Sequence, residues 1–300
     1  MSSCHIPVMV EEVLEFLRPS PGEILVDGTL GGGGHAYRIA EAVGANGRLI
    51  ALDRDPQAIL RAQAMSPDLP ITAIRANFRH IESILEELEV AAVDGILLDL
   101  GLSSDQLADE ELGFSFQRDA PLDMRFDPEQ GVPAWQLLRQ CDERQLADWI
   151  YEFGEERHSR KIARRIIEAR QREPIKSTYQ LADLVRGCMR SRGHWKRDPA
   201  TRTFQALRIL VNDELGALDA VLASIPRVLR PGGRAVVISF HSLEDRRVKN
   251  AFRQRDEFEM ITRKPVRPSA EEVRRNPRAR SARLRAATRR SAETGHSSFH

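Results

Sequence analysis

Four consecutive glycines, Gly31 to Gly34, lie between a short apolar run and a segment of helical composition. The apolar run, Ile24 to Asp27, is typical of a buried strand that ends at a tight turn, and the helical segment begins at Ala36. Glycines lack a Cβ, so a ligand can approach their backbone closely, and the following helix begins with free N–H groups. The sequence therefore predicts a ligand-binding strand, loop and helix rather than a plain flexible turn.

A dinucleotide is one ligand that fits this loop. Gly31, Gly33 and Ala36 match the Gly-x-Gly-x-x-Ala spacing of a dinucleotide site. Such a site also needs an acidic residue about 20 positions further on, to bind the ribose. Asp53 follows the next apolar run and meets that need, so hydride transfer stays open at this point.

S-adenosylmethionine is the second ligand, and the residues before the loop favour it. Asp27, three spacers and then Gly31-x-Gly33 is a spacing typical of methyltransferases, although Thr29 replaces their usual extra glycine. An acidic residue suits the amino group of a sulfonium ligand and would lie unfavourably beside a pyrophosphate. Asp53 serves the ribose of either ligand. The loop alone therefore favours methyl transfer over hydride transfer.

Alternating apolar runs and helical segments extend from this loop in both directions. This alternation predicts an α/β fold with a parallel sheet covered by helices on both faces. Ligands bind at the carboxyl ends of the strands in such sheets, where Asp27, Asp53 and Asp99 are expected. Strands are expected at 24–28, 49–52, 71–74 and from 95 onward, and helices at 8–18, 56–64 and 80–89.

The alternation stops after Ser104 and resumes with a fifth strand, Ala235 to Ser239. The segment between them has no convincing strand, and Ser177 with Gln180 predicts a capping box before an amphipathic helix. We expect an inserted helical domain at 109–200, between two parts of the main domain, 1–108 and 201–300. The alternative is that these helices extend the main domain. A long apolar stripe from 204 to 222 predicts a core helix, and a turn is expected at 230–233.

Charge is unevenly distributed along the chain. The net charge is +1, but residues 261–290 contain eleven Arg or Lys against two Glu, a net of +9, which leaves about −8 for the rest. A basic segment on a mildly acidic body indicates a polyanion partner. A solvated tail is the alternative, and the same segment has the apolar residues for the last strands of the sheet.

Composition excludes several classes of protein. With 41% hydrophobic and 30% charged residues, the 300-residue chain is globular rather than disordered. No secretory signal pattern is visible at its start, and no apolar run approaches the roughly 18 residues of a membrane span. The three distant cysteines, Cys4, Cys141 and Cys188, predict neither disulfides nor a zinc site. A cytoplasmic protein without a metal is expected.

Eight motifs, spread in order over nearly the whole chain, resemble one family. The chain is similar to the bacterial 16S rRNA cytidine N4-methyltransferase family (RsmH, older name MraW). The resemblance implies a class I, Rossmann-like S-adenosylmethionine-dependent methyltransferase fold, and methylation of the exocyclic N4 of one cytidine in the decoding region. The motifs begin at Asp27 (DGTLGGGGH), Asp99 (DLGLSS), Gly113 (GFSF), Pro121 (PLDMR), Gly154 (GEER), Ala200 (ATRTFQA), Ser239 (SFHSLEDR) and Asn276 (NPRARS).

The resemblance also implies a set of cofactor contacts. Asp53 would accept both ribose hydroxyls, Phe78 would lie against the adenine, and the glycines would admit the methionine end. Three of the implied contacts have a structural alternative: Asp53 as a plain strand-end carboxylate, Phe78 as a core residue, and His35 as the first residue of a helix. The full set of implied contacts is Gly33, Gly34, His35, Asp53, Phe78, Asp99 and Gln106.

The motifs do not single out one catalytic residue. Many amino methyltransferases have Asn or Asp, Pro-Pro and an aromatic residue after strand four, whereas this chain has Asp99-Leu-Gly-Leu-Ser103. The acceptor for the N4 hydrogens is therefore unassigned. The candidates are Asp123 and His241, with Asp99 itself as a third. Asp123 has a structural alternative as partner of Arg125, and His241 as a helix cap.

RNA contacts are expected from the insertion and from the basic carboxyl-terminal segment. The partner is 16S rRNA or the small ribosomal subunit, and the oligomeric state is undecided, which leaves a homodimer open. Two other functions remain as alternatives: a non-catalytic RNA-binding or assembly factor with this fold, and an NAD-dependent oxidoreductase. The insertion's candidate phosphate contacts are Arg157, Arg160, Lys161, Arg164 and Arg165.

Overall fold

The computed structural model describes residues 7–65, 68–189 and 198–291. The chain forms two compact units, one of Met1–Gly101 with Ala217–His300 and one of Leu102–Gly216. Cys4 lies outside the described residues. Among those described, no helix is both long and apolar enough to cross a membrane.

Seven strands and thirteen α-helices are present in the described residues, with two short 3₁₀ helices at Phe78–His80 and Pro277–Ser281. The strands are β1 (Ile24–Asp27), β2 (Arg48–Asp53), β3 (Ile71–Arg75), β4 (Val93–Asp99), β5 (Leu229–Ser239), β6 (Phe258–Met260) and β7 (Arg283–Arg289). The helices are α1 (Val10–Leu17), α2 (Gly34–Val43), α3 (Pro56–Met65), α4 (Ile81–Glu87), α5 (Ser104–Ala108), α6 (Ala134–Gln140), α7 (Glu143–Gly154), α8 (Ser159–Arg170), α9 (Thr178–Gly187), α10 (Ala200–Asn212), α11 (Glu214–Val228), α12 (Ser242–Gln254) and α13 (Ala270–Arg275).

The sheet of the first unit has the strand order β3-β2-β1-β4-β5-β7-β6. The first five strands pair in parallel, whereas β7 is antiparallel to both of its neighbours. The predicted α/β fold with a mainly parallel sheet is confirmed. The basic segment does supply a strand, since β7 lies within it.

Both faces of this sheet are buried, as expected for parallel strands. Successive residues of β1 point to opposite faces: Leu25 belongs to one apolar cluster and Val26 to the other. Helices α1, α2 and α3 supply Val13, Ile39 and Ile59 to the cluster around Leu25. The cluster around Val26 receives residues from α4, α11 and α12, among them Ile81, Val221 and Phe252.

The second unit has a separate helical core. Its buried apolar residues come from helices α6 to α10 and from the loops before and between them. It extends beyond the predicted insertion at both ends, and Phe204 and Leu207 of α10 pack into its core. Ser177 and Gln180 form the predicted capping box of α9.

Two local predictions were incomplete. The apolar stripe at 204–222 forms two helices rather than one, because the backbone at Asp213 is left-handed (φ 47°) and ends α10. The turn predicted at 230–233 lies within β5. Val93 pairs with Leu229 and Gly95 with Arg234. Residues 230–233 therefore bulge out of the ladder while the strand continues.

Candidate active site

Three carboxylates lie at one edge of the sheet. Asp27 is the last residue of β1, Asp53 of β2 and Asp99 of β4. Strand β1 lies between β2 and β4, and all three run in parallel. The three carboxylates therefore come from the carboxyl ends of neighbouring strands, where sheets of this type bind ligands.

The glycine loop connects β1 to α2 and leaves no room for a side chain at Gly33 or Gly34. Gly33 precedes the helix with φ +81°, and a Cβ there would lie 2.7 Å from the ring of Tyr37. A Cβ on Gly34 would lie 2.6 Å from Cγ of Pro7. These positions require glycine, both for the left-handed backbone at Gly33 and for close packing.

Thr29 joins two of the carboxylate-bearing residues. Its backbone N–H donates to Oδ1 of Asp27 at 2.9 Å, and its hydroxyl lies 3.3 Å from the same oxygen. The same hydroxyl accepts the backbone N–H of Asp99 at 2.6 Å. The residue that departs from the usual glycine pattern thus ties the end of β1 to the end of β4.

His35 is buried at the start of α2, with 6% of its side chain exposed, and faces Asp99. Its Nε2 lies 3.5 Å from Oδ2 of Asp99, an ion-pair distance without hydrogen-bond geometry. Burial opposes a charge on the imidazole, but Asp99 and Asp27 outweigh burial and raise the pKa of His35. Both ring nitrogens, and Oδ1 of Asp99, are buried without a hydrogen-bond partner among the described residues.

Burial also raises the pKa of two carboxylates. That of Asp27 rises to about 6, although the hydrogen bond from Thr29 and the nearby His35 partly oppose the shift. That of Asp53 also rises to about 6, again chiefly through burial. Asp53 accepts the backbone N–H of Gly31 at 2.7 Å and that of Asp55 at 2.9 Å, so it supports the glycine loop directly.

Phe78 begins a 3₁₀ helix just after β3 and is partly buried against the core. Its Cβ would lie 3.2 Å from a Cβ at Gly28, the residue that follows β1. Phe78 therefore packs beside the start of the glycine loop. This placement is compatible with stacking on adenine and with the core role, so the adenine contact stays a prediction.

The residues at this edge fit S-adenosylmethionine. The sulfonium and ammonium groups of that molecule suit the ionised forms of Asp27 and Asp99. Its ribose hydroxyls suit the carboxylate of Asp53. The buried, unpartnered atoms of His35 and Asp99 are polar groups that a bound polar ligand would satisfy.

Gln106 and Asp123 belong to the second unit. Gln106 forms a capping box with Ser103: the Ser103 hydroxyl accepts the N–H of Gln106, and the Gln106 side-chain oxygen accepts the N–H of Ser103, both at 3.1 Å. This bond engages its amide oxygen, and a cofactor contact from Gln106 stays a prediction.

Asp123 pairs with Arg125, as its structural alternative predicted. Its two carboxylate oxygens accept Nε–H and Nη2–H of Arg125, each at 2.8 Å.

The next residue, Met124, is buried with φ +67°, an unfavourable conformation for a non-glycine residue. The carbonyl of Met124 accepts a hydrogen bond from Nδ2 of Asn212 at 2.7 Å, and Oδ1 of Asn212 accepts the N–H of Phe126 at 2.8 Å.

Sequence reasoning missed Asn212, which holds this loop by two backbone hydrogen bonds. The available signal was a lone amide within the apolar stripe that forms α10. Thr29 was noted only as a departure from a pattern. Its role was hidden because its partner Asp99 is 70 residues away in the chain.

His241 is the N-cap of α12, the structural role given above as the alternative to catalysis. It follows β5 by two residues, and its Nδ1 accepts the N–H of Glu244 at 3.4 Å. Oε2 of Glu244 accepts the N–H groups of Phe240 and His241, at 2.8 and 3.2 Å. Nε2 of His241 lies 3.1 Å from Oε1 of Glu244. Catalytic roles for His241 and Asp123 stay predictions.

Comparison with known proteins adds a family match. Residues 2–290 match the model of the MraW methylase family. The chain is 49% identical over 297 residues to ribosomal RNA small subunit methyltransferase H of Rhodopirellula baltica, covering 95% of this chain and 91% of that protein. It is 50% identical over 304 residues to the protein of the same name from Anaeromyxobacter dehalogenans, covering 94% and 96%. A solved fibrillarin of Aeropyrum pernix with bound S-adenosylmethionine aligns at 11% identity and a TM-score of 0.41, covering 89% and 67%.

Proposed function

The chain belongs to the MraW methylase family, and from that membership we propose methyl transfer from S-adenosylmethionine to the exocyclic N4 of a cytidine in the decoding region of 16S rRNA. The structural observation that supports it is the row formed by Asp27, Asp53 and Asp99 at neighbouring strand ends, beside the glycine loop, where the cofactor would bind. Neither an oxidoreductase nor a non-catalytic assembly factor is favoured by the family match.

The residues of the first unit hold the cofactor in this proposal. When bound, S-adenosylmethionine would supply an activated methyl group on its sulfonium, and the leaving group would be a neutral thioether. Asp27, Asp99 and His35 orient the methionine end, and Asp53 binds the ribose. Gly33 and Gly34 let the backbone approach the ligand. Catalysis then depends mainly on positioning and local electrostatics.

Cytosine N4, the nucleophile, is weak without a hydrogen-bond acceptor for its hydrogens. The lone pair of cytosine N4 is delocalised into the ring, and an acceptor for its hydrogens favours a tetrahedral nitrogen with an available lone pair. Asp123 and His241 are our candidates for this acceptor, with Asp99 as the third. The target base must leave its stack to reach the methyl group.

RNA binding is the proposed task of the second unit together with basic residues of the first. The partner is 16S rRNA or an assembled small subunit, which implies a cytoplasmic location. In the second unit the proposed phosphate contacts are the cations Arg157, Arg160, Lys161, Arg164 and Arg165 of α8 and the loop before it.

Mass spectrometry of rRNA nucleosides tests the proposal most directly. Cells that lack this protein should lose N4-methylcytidine from the decoding site, and the wild-type chain should restore it. Purified protein should also transfer a labelled methyl group to small subunits or naked 16S rRNA from those cells. Retention of the modification in the deletion strain would refute the proposed substrate.

A further inference from the structure

Six cations of the carboxyl-terminal stretch are exposed and have no ion-pair partner among the described residues. They lie between β6 and β7, in the first unit, on a segment that includes α13 and the second 3₁₀ helix. We refer to them as the basic ridge: Arg263, Lys264, Arg267, Arg274, Arg278 and Arg280.

The other five cations of the same stretch have hydrogen-bond or ion-pair partners within the chain. Arg283 and Arg285 pair with Asp245, at 3.3 and 2.7 Å, and Arg285 is buried. Arg289 donates to the carbonyl of Leu229. Arg275 pairs with Glu271, and Arg290 donates to the carbonyl of Phe258. The structure therefore separates a structural group of arginines from an available one, which the net charge of the stretch did not reveal.

The ridge is part of the folded unit and not a loose tail. Val266 and Leu284 exchange two backbone hydrogen bonds of 2.9 Å, which fixes the segment beside β7. Ala279, between Arg278 and Arg280, is fully buried in the same core cluster as Leu284. Oε1 of Glu272 also accepts the N–H of Met9 at 2.7 Å, just before α1. Cations held on an ordered backbone lose less conformational entropy when they bind than cations on a disordered tail.

The basic helix α8 of the second unit is more neutralised. Arg164 lies 3.4 Å from a carboxylate oxygen of Glu143, and Arg165 lies 4.0 Å from one of Glu168. Nζ of Lys161 donates to the carbonyl of Cys188 at 2.5 Å, which constrains this side chain but supplies no opposite charge. Fewer free charges remain on this helix for a polyanion.

We infer that the basic ridge is the main phosphate-binding surface for the rRNA substrate, and that α8 contributes less. The inference rests on the proposed function for the identity of the polyanion. Five of the six cations are arginines, whose planar guanidinium groups bind phosphate oxygens in pairs. Phosphate contacts fix the position of the RNA and carry no base specificity, so the ridge orients the substrate while the site selects the cytidine.

Salt-dependent RNA binding tests this inference. The ridge variant is Arg274→Gln/Arg278→Gln/Arg280→Gln. Its matched control is Arg38→Gln/Arg227→Gln/Arg230→Gln, which removes three exposed arginines of the same unit that pair with Glu11, Glu82 and Asp94. Affinity for a naked 16S rRNA fragment and for assembled small subunits is measured from 50 to 300 mM KCl, a range chosen around physiological ionic strength (about 150 mM).

The ridge variant should bind both RNA probes at least about tenfold more weakly at low salt. Its slope of log Kd against log salt should fall by about 2, since each lost contact to single-stranded RNA removes about 0.7. The control should keep the wild-type slope, and calorimetry should show unchanged binding of S-adenosylmethionine in both variants. An equal loss in the control, or an unchanged slope in the ridge variant, overturns the inference.

A third variant compares the two basic surfaces. Arg160→Gln/Arg164→Gln/Arg165→Gln on α8 should change the slope less than the ridge variant does, and a larger change refutes the ranking. Methyl transfer by the wild-type protein is assayed separately. If the wild type methylates its substrate while the ridge variant binds RNA normally, the ridge assignment fails and the proposed function stands. If the wild type binds RNA through the ridge but transfers no methyl group, the proposed function fails.

Discussion

The hydroxyl of Thr29 accepts the backbone N–H of Asp99 at 2.6 Å and so connects the loop after β1 to the end of β4. Thr29 also holds Asp27 through its own backbone N–H. Thr29 thus connects, through its backbone N–H and its hydroxyl, the two residues that we propose for the methionine end of the cofactor. A glycine at this place, which is usual in such loops, would leave the Asp99 N–H without this acceptor.

Replacement of Thr29 by valine should therefore impair cofactor binding. Thr29→Val keeps the shape of the side chain but removes the acceptor for the Asp99 N–H, at a cost of about 1–3 kcal/mol. We expect a lower free energy of unfolding in urea and about tenfold weaker binding of S-adenosylmethionine in calorimetry, if most of that cost (about 1.4 kcal/mol per tenfold) appears in binding. Thr29→Ser retains the hydroxyl and should behave almost as wild type. Equal affinities for all three proteins would show that the hydroxyl does not position the site.

Replacement of Gly33 by alanine should block the loop. The φ of +81° disfavours alanine by about 1–2 kcal/mol, and the new Cβ would meet the ring of Tyr37 at 2.7 Å. Binding of S-adenosylmethionine should weaken by at least about tenfold, since the loop must shift. Gly44→Ala is the control, because Gly44 also has positive φ, at +63°, but open space around it. A similar loss of affinity in both variants would count against a ligand contact at Gly33.

Protonation of Asp27 should make stability depend on pH. Burial raises the pKa of its carboxyl from 3.8 to about 6 in the folded protein. Between pH 4 and 6 the folded state therefore keeps a proton that the unfolded chain has released. The stabilising contribution is complete below about pH 4 and is lost as the pH rises through about 6. Asp27→Asn should reduce this decrease in the free energy of unfolding, measured by urea titration across the range.

A control carboxylate separates this effect from general acid behaviour. Asp94 lies near the start of β4, away from the strand ends that carry the site, and accepts the N–H of Ile24. Asp94→Asn should leave the decrease between pH 4 and 6 in place. If it removes as much of the pH dependence as Asp27→Asn does, the assignment to Asp27 is wrong.

Asp123 should affect turnover more than cofactor binding. Asp123→Asn keeps the size of the side chain but weakens the paired contact with Arg125, and we expect kcat to fall at least about tenfold while the Kd for S-adenosylmethionine stays the same. Arg125→Gln breaks the same pair from the other side. If Asp123 only holds Arg125, the two variants should lose activity equally. A larger loss in Asp123→Asn is the result expected for an acceptor of the N4 hydrogens.

His241 offers a similar separation of cap and catalyst. Asparagine is a good helix N-cap, so His241→Asn should unfold within about 0.5 kcal/mol of wild type, whereas His241→Ala should lose about 1 kcal/mol. We expect both variants to lower kcat. Full activity in His241→Asn, together with reduced stability in His241→Ala, would leave His241 with the capping role alone.

Much of the first unit was predictable because its signals are local. The strand β1, the glycine loop and α2 follow from a short apolar run, four glycines and helical composition, all within 20 residues. In the second unit, the capping box of Ser177 and Gln180 was predictable for the same reason, because its two residues are three positions apart. The break at Asp213 was missed because the apolar stripe continues through it, and only the left-handed backbone there separates α10 from α11.

The sequence by itself determined the fold class, the family and the chemistry available at each strand end, since these depend on residue types and on their order along the chain. The tertiary structure decided which strand ends are neighbours, and thereby placed Asp27 between Asp53 and Asp99. It also decided that Thr29 binds Asp99 and that Asp245 neutralises Arg283 and Arg285. These partners are 38 to 70 residues apart in the chain. Strand register and packing bring them together, and no local pattern encodes either one.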